Sequence, residues 1–480
     1  MRSKSGVLKV DLHWAFIMKD IPLALTLATM FVFPSPFLPA FDCCSVKRSP
    51  ERPASSTPVA CCTHCSLPLF VAGVEMEQRC CLFHATSVEG KSKSQDSISQ
   101  WIMLAVSLVL LLFYQAPEGN ADPITCYDDL GKAADWFYLY KLPHHESRFE
   151  GLKYLFMDKV TEGWADGRGL VNDSTGALGR TVGQLYQSTE QGYILYNDQP
   201  PTPEPETGST GNVGRSGGHT KGVVLFDKQQ GYWLVHSTPH FPPPKKAGAF
   251  SYPDSGIVNG QNFICVTYPL DHFQTIGEQL QINQPHVFDC HIPDSLAPSV
   301  ESLAQLCKHG REERGNVSLL HDATKTTNRS VALTSLGGTT FINFAKGESF
   351  ANDLYHSWVA PALQSDLLVQ FWQRSTGVLT SDCSPSWKVL NIEELAPGQR
   401  FTFQSMDDHS KWAVSTTAAT GSAGGWVCVG DINRNKAEER RGGGTVCLQD
   451  PTVWKAYRTA ALKCISCEGG QCDCLTTAGK

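Results

Sequence analysis

Two distant segments carry the same short pattern. Gly217-Gly218-His219-Thr220-Lys221-Gly222 runs into the apolar stretch Val223 to Phe226, and Asp407-Asp408-His409-Ser410-Lys411-Trp412 runs into a second apolar stretch. In each, one hydroxyl residue separates a His from a Lys. Side chains along a strand alternate between faces, so the His and Lys of either copy share a face. The segments downstream of the two motifs also repeat: Val223–Phe226, a turn from Asp227 to Gly231 and Tyr232–His236 in one copy; Lys411–Val414, a Gly-rich turn through Gly425 and Trp426–Val429 in the other. Each reads as strand, turn and strand. Aligned by eye, Trp233 matches Trp426, with Ser237 following one and Asp431 and Asn433 the other, at positions suited to bonding a His or a phosphate. Such a repeat constrains the chain to a duplicated fold with its site at the seam. Two imidazoles and two ammonium groups brought together suit phosphodiester chemistry: one His as nucleophile, one protonating the leaving oxygen, the lysines holding phosphate charge.

At 480 residues, with 41% hydrophobic and 18% charged residues, the chain has the makings of an ordinary globular protein with a sizeable core. Net charge is −7, which excludes a basic, neutral-pH nucleic-acid binder. Protonating all 15 His would carry the balance to +8, so a polyanion is attracted far better at acidic pH.

Residues 1–102, with paired cysteines and no periodicity, read as a non-native or disordered extension. The run beginning at Trp101 and ending before Gln115-Ala116-Pro117 reads as the apolar core of a signal peptide spanning 103–120, with Met103 at its start and the mature chain near Ala121. A signal anchor is the competing reading. A first H-x-K half is expected over 121–290, a second over 291–464, and a Cys-rich tail over 465–480. Glycosylation sequons at Asn172, Asn316 and Asn328, together with widely spaced cysteines, fit a secretory and oxidising route. Asp135–Leu142 and Tyr193–Tyr196 read as strands, 200–218 as a surface loop, and Ser295–Cys307 and Phe350–Phe371 as helices.

The runs DWFYLYKLP, LYNDQPP, GHTKGVVLFD, GYWLVHSTPHFPPP, FAKGESFANDLY, DHSKW, WVCVGDINRN and RGGGTVC resemble the deoxyribonuclease II family of acid endonucleases over most of residues 123–464. DCHIP, at Asp289–Pro293, is closer to the family's beta branch than to its alpha branch. The resemblance implies an α+β (mixed α/β) fold, a phospholipase D-like pseudodimer of two β-sheet cores flanked by helices. It also implies cleavage of DNA at acidic pH without metal or other cofactor, leaving 3′-phosphate ends, in the lysosome or outside the cell. His219, Lys221, His409 and Lys411 are then the catalytic group, with the nucleophile either His. Asp227 either orients a His or serves the turn. Arg440 and Arg441, ahead of Gly442-Gly443-Gly444, either line a DNA groove with open backbone amides or form a plain loop. The family's disulfides imply Cys126 with Cys265, Cys428 with Cys447 and Cys383 with Cys464; Cys290 with Cys307 is our own inference. DNA is the expected partner, read through its backbone with weak sequence preference and without a membrane span in the mature chain. A lipid phosphodiesterase using the same four residues and a non-catalytic DNA-binding glycoprotein are the alternatives. Loss of a His or Lys would mark the latter, and both motifs are intact.

Overall fold

The computed structural model describes residues 69–71, 74–76, 122–145, 151–187, 190–201, 217–312, 326–384, 386–418 and 424–476. The expected extension (apart from one antiparallel hairpin, Leu69–Val71 with Val74–Met76), the signal peptide, the loop at 202–216 and the sequon at Asn316 lie outside these residues. Asn172 is exposed, and Asn328 opens a strand, half-buried.

Two sheets account for most of the rest, the first antiparallel throughout and the second mixed through one parallel pair. The first has eight strands: β1 Trp136–Lys141, β2 Tyr154–Asp158, β3 Ala165–Asp166, β4 Gly192–Asn197, β5 Lys221–Phe226, β6 Gln230–His236, β7 Gln261–Pro269 and β8 Val287–His291, in the order β8-β4-β5-β6-β7-β1-β2-β3. The second has ten: β9 Asn328–Thr334, β10 Thr340–Lys346, β11 Leu367–Gln370, β12 Val389–Leu395, β13 Phe403–Gln404, β14 Trp412–Ser415, β15 Trp426–Gly430, β16 Gly443–Gln449, β17 Ala461–Ile465 and β18 Gln471–Asp473. Their order is β9-β10-β16-β15-β14-β11-β12-β17-β18, with β13 paired to β12. The helices are α1 Ala177–Gly183, α2 His272–Asn283, α3 Glu301–Glu312, α4 Ala360–Leu363 and α5 Pro451–Arg458. Asp450 caps α5, accepting from the amides of Thr452 and Val453, and Pro451 takes the first helical position. Among the described residues no helix is long and apolar enough to cross a membrane.

The duplication is visible in the topology. β1, β4, β5, β6 and β7 lie in the order β4-β5-β6-β7-β1; β10, β11, β14, β15 and β16 lie in the order β11-β14-β15-β16-β10. Register makes the match residue by residue. Matching Lys221 to Lys411 matches Val223, opposite Leu234, to Ala413, opposite Cys428. Leu234 in turn faces Cys265, and Cys428 faces Cys447. Trp233 therefore corresponds to Val427, and Tyr232 to Trp426. The alignment of the two tryptophans by eye is off by one residue, which puts them on opposite faces of their strands.

The central strands of both sheets are buried on both faces, which is why they read as continuous apolar runs rather than alternating ones. Trp136, Tyr138, Trp233 and Val235 of the first sheet share a core with Trp412, Val414, Val427 and Val429 of the second. The intervening residues pack outward, Phe137, Leu139 and Leu234 in one cluster and Ala413, Cys428 and Cys447 in another. Burying each large apolar side chain contributes about 1.5–3 kcal/mol.

Two expected helices differ from what forms. Pro298 sits in a short 3-10 turn, so α3 starts only at Glu301. The segment 350–371 is helical only from Leu354 to Leu363; Gln364 turns left-handed and Leu367–Gln370 becomes a central strand, its apolar residues being buried by the sheet. Disulfides join Cys126 to Cys265, Cys290 to Cys307 and Cys428 to Cys447 as expected. The fourth differs: Cys383 pairs with Cys467, not Cys464. Cys464 faces the shared core from β17, with its sulfur 2.9 Å from that of Cys472 across the β17–β18 pair, whereas exposed Cys383 meets the turn beyond the strand. The tail is thus an ordered hairpin as far as Thr476.

Candidate active site

The H-x-K motifs stand at the starts of their strands rather than within them, His219 and Thr220 ahead of β5 and His409 to Lys411 ahead of β14, and each half holds the other's motif. The backbone N–H of His219 donates to the carbonyl of Gly442 at 2.9 Å, and that of His409 to Gly260 at 2.8 Å. By the same register, Gly260 and Gly442 are equivalent positions, each a few residues ahead of the matched Cys265 and Cys447. The Lys221 amide reaches Asp431 Oδ2 at 3.3 Å, and the Lys411 amide donates to Asn262 Oδ1 at 2.9 Å.

The two imidazoles sit in opposite electrostatic surroundings. His219 Nδ1 is 2.9 Å from Glu438 Oε1 and 3.4 Å from the Asn433 amide, and its Nε2 is 3.9 Å from Asp198 Oδ2. Burial, with Lys221 adding to it, holds the His219 pKa below the ordinary imidazole value, although Glu438 and Asp198 both oppose that. His409 instead donates from Nδ1 to the Ser237 carbonyl at 2.9 Å, with Lys411 Nζ 3.1 and 3.2 Å from its two ring nitrogens. Burial, then Lys411, Lys221 and His219, hold its pKa well below the ordinary imidazole value. All four motif residues therefore act within one field. Trp372 packs edge-on against His409, ring centres 5.2 Å apart.

Lys411 loses proton affinity through burial and through Lys221. Lys221 Nζ bonds Asp198, whose other oxygen accepts from Arg441 at 3.1 Å. Burial disfavours the ionised Asp198, yet Lys221, His219 and Arg441 outweigh it and hold the carboxyl below the usual carboxylate range. Glu438 is likewise held at about 2, against its burial, mainly by His219 and then Arg441. Asp431 goes the other way: burial lifts it to about 7 despite hydrogen bonds from the Gly444 and Lys221 amides.

Of the remaining expected residues, Ser237 contributes its carbonyl to His409 while its hydroxyl donates to Gln261 at 2.5 Å, and Asn433 also accepts from the Trp372 amide. Asp227 orients no His. It accepts from the amides of Ile124, Gln229 and Gln230 and so serves the turn. Arg440 is exposed, whereas Arg441 faces Asp198 and Glu438. Gly443 and Gly444 do not offer open amides: they pair with Lys346 and Ala345 inside the sheet. Asp198 and Glu438 escape a reading of the sequence. Asp198 follows a strand and precedes prolines, so it reads as turn chemistry, and Glu438 lies in a charged run that reads as solvated surface. Buried Lys346 fixes the Glu438 loop, donating to the carbonyls of Glu438, Glu439 and Arg441 at 2.9, 3.1 and 2.6 Å. Burial lowers its pKa to about 8.

Fold and site define a duplicated α+β protein with paired H-x-K motifs at the seam. Residues 125–467 match the family model for deoxyribonuclease II. Mouse deoxyribonuclease-2-alpha is 43% identical over 360 residues, 74% of this chain and 95% of the mouse protein. Human deoxyribonuclease-2-beta is 36% identical over 374 residues (76% and 98%), and plancitoxin-1 of the starfish Acanthaster planci 33% over 364 (74% and 96%). The chain belongs to the deoxyribonuclease II family and is an enzyme of that nuclease class. Identity is higher with the mouse alpha enzyme than with the human beta enzyme, whereas the DCHIP run is the feature that leans toward beta.

Proposed function

We propose that the protein is an acid endodeoxyribonuclease of the lysosome or the secretory route that needs no metal, cleaving DNA by a two-step mechanism through His409 and His219. The observation carrying this reading is the unequal environment of the two histidines. Lysines around His409 favour the neutral imidazole that a nucleophile requires, and its Nδ1–H is committed to the Ser237 carbonyl, leaving Nε2 to attack phosphorus. Glu438 and Asp198 favour the imidazolium of His219, the form that protonates a leaving 5′-oxygen. Lys221 and Lys411 take the charge of the phosphoryl oxygens. Attack forms a His409–phosphate bond and releases the 5′-hydroxyl strand. Water, deprotonated by the now neutral His219, then breaks that bond to leave the 3′-phosphate. The family matched over residues 125–467 supports DNA as substrate. Because the site meets phosphate rather than base edges, sequence preference is weak.

Plasmid nicking at pH 5 and pH 7.5 with EDTA tests the reaction class; activity that EDTA abolishes sinks it. Thymidine 3′-(4-nitrophenyl phosphate), whose leaving group needs no proton, tests the roles. His219→Ala releases a burst of about one equivalent of nitrophenolate and stalls, whereas His409→Ala gives none; the reverse pattern exchanges the assignments.

A further inference from the structure

Asp198 sits where an anion belongs. Its carboxylate bridges Lys221 and Arg441, with His219 Nε2 3.9 Å away, so a carboxylate of the protein itself occupies the meeting point of three cationic groups. It is not a flexible surface residue: it follows β4, its amide donates to the Thr220 carbonyl at 3.2 Å, and its side chain is 11% exposed. Arg441 is fixed as well, through the carbonyls of Gly217 and Gly218 and through Glu438.

We infer that Asp198 is an internal occupant of the phosphate cradle, and that an incoming phosphodiester takes over its cations as the carboxylate accepts a proton from solvent. The inference rests on the phosphodiesterase reading of the site. A tetrahedral anion seated against Lys221 and Arg441 leaves a buried carboxylate beside a second negative charge, and both desolvation and like-charge repulsion then favour the neutral acid. The protonated carboxyl gains an O–H that can donate to a phosphoryl oxygen, so one proton is taken up and repulsion is exchanged for a hydrogen bond. The groups facing Asp198 are Lys221, His219 and Arg441, with Lys411, Glu438 and Asp431 further out. The first three do most to hold the free carboxyl ionised, and the bound anion claims the same three. Anion affinity consequently falls as pH rises, independently of any histidine's role in the chemical step.

The probe is sodium sulfate, which keeps its charge from pH 4.5 to 7.5, with the full chain as wild type and as Asp198→Asn and Asp198→Glu. Calorimetry in two buffers of different ionisation enthalpy counts the protons bound. The expected result is that Asp198→Asn takes up about one proton fewer than wild type and binds sulfate at least tenfold more tightly at pH 7, while Asp198→Glu retains the uptake. Equal uptake in wild type and Asp198→Asn overturns the inference, as does failure of the folded wild type to bind sulfate. On DNA the variant should separate KM from kcat. The rise of KM with pH moves toward neutrality, whereas kcat declines at lower pH because His219 has lost one of its two carboxylates. A wild type that binds sulfate with proton uptake but never cleaves DNA refutes the proposed function and leaves Asp198's place in the anion site intact.

Discussion

The N–H of His409 donates to the carbonyl of Gly260 at 2.8 Å, across the seam between the two halves, and His219 stands in the same relation to Gly442. The backbone of each motif histidine is thus anchored by the half that does not carry it. Reciprocity extends to the next layer, where Asp431 meets the Lys221 amide and Asn262 the Lys411 amide. Neither half alone anchors the backbone of its own motif, which is the physical reason the duplicated fold brings the two motifs to the join.

The glycine at these contacts is required by space. A Cβ at Gly442 would stand 2.0 Å from the Asn283 carbonyl oxygen, a backbone atom that cannot move aside without disturbing the end of α2. Gly442→Ala is expected to cut kcat at least tenfold, because the carbonyl that anchors His219 moves with the chain. Thermal melting and kcat are measured together; wild-type kcat at an unchanged melting temperature would contradict the anchoring role.

Glu438 makes the nearer carboxylate contact to His219, at 2.9 Å. An adjacent carboxylate favours the imidazolium, so replacing it lowers the pH at which His219 loses its proton. In Glu438→Gln the alkaline limb of the kcat profile moves to lower pH, with little change in the acidic limb. An alkaline limb that stays in place would remove His219 from the role of proton donor.

The duplication was legible because both motifs combine a period-two pattern with residues that carry chemistry, and strand β1 because six consecutive buried residues leave little else for DWFYLYKL to become. What lay beyond reach depended on partners far away in the chain. Glu438 looks like surface until Lys346 and Arg441 fold its loop inward onto His219. Trp426 looks like the counterpart of Trp233 until cross-strand register sets it one residue out of step. Gly443 and Gly444 look open until β10 pairs with them. In each case local sequence offers two conformations or two faces, and a contact made across the chain chooses between them.

The fourth disulfide gives a chemical test of the tail. Peptide mapping of the unreduced protein is expected to yield a Cys383–Cys467 link. Cys467→Ser should lose it and about 2–5 kcal/mol of stability, an amount typical of a bridge that closes a long loop. Cys464→Ser should retain it. Recovery of a Cys383–Cys464 peptide from wild type would place Cys464, not Cys467, in the fourth bridge.

Asp431 links the site to stability. Its folded pKa, raised to about 7 by burial, lies above the unfolded value of about 4, so between these pH values the native state binds more protons than the unfolded state. The protonated group therefore favours folding in acid, and that contribution is lost progressively as pH rises from about 4 to about 7. Asp431→Asn resembles the protonated form at every pH. The melting temperature of the variant, taken relative to wild type, should rise steadily from about pH 4 to about pH 7 and level off above that. A difference that stays constant over this range would mean that Asp431 is already ionised in acid, satisfied by the amides of Lys221 and Gly444 alone.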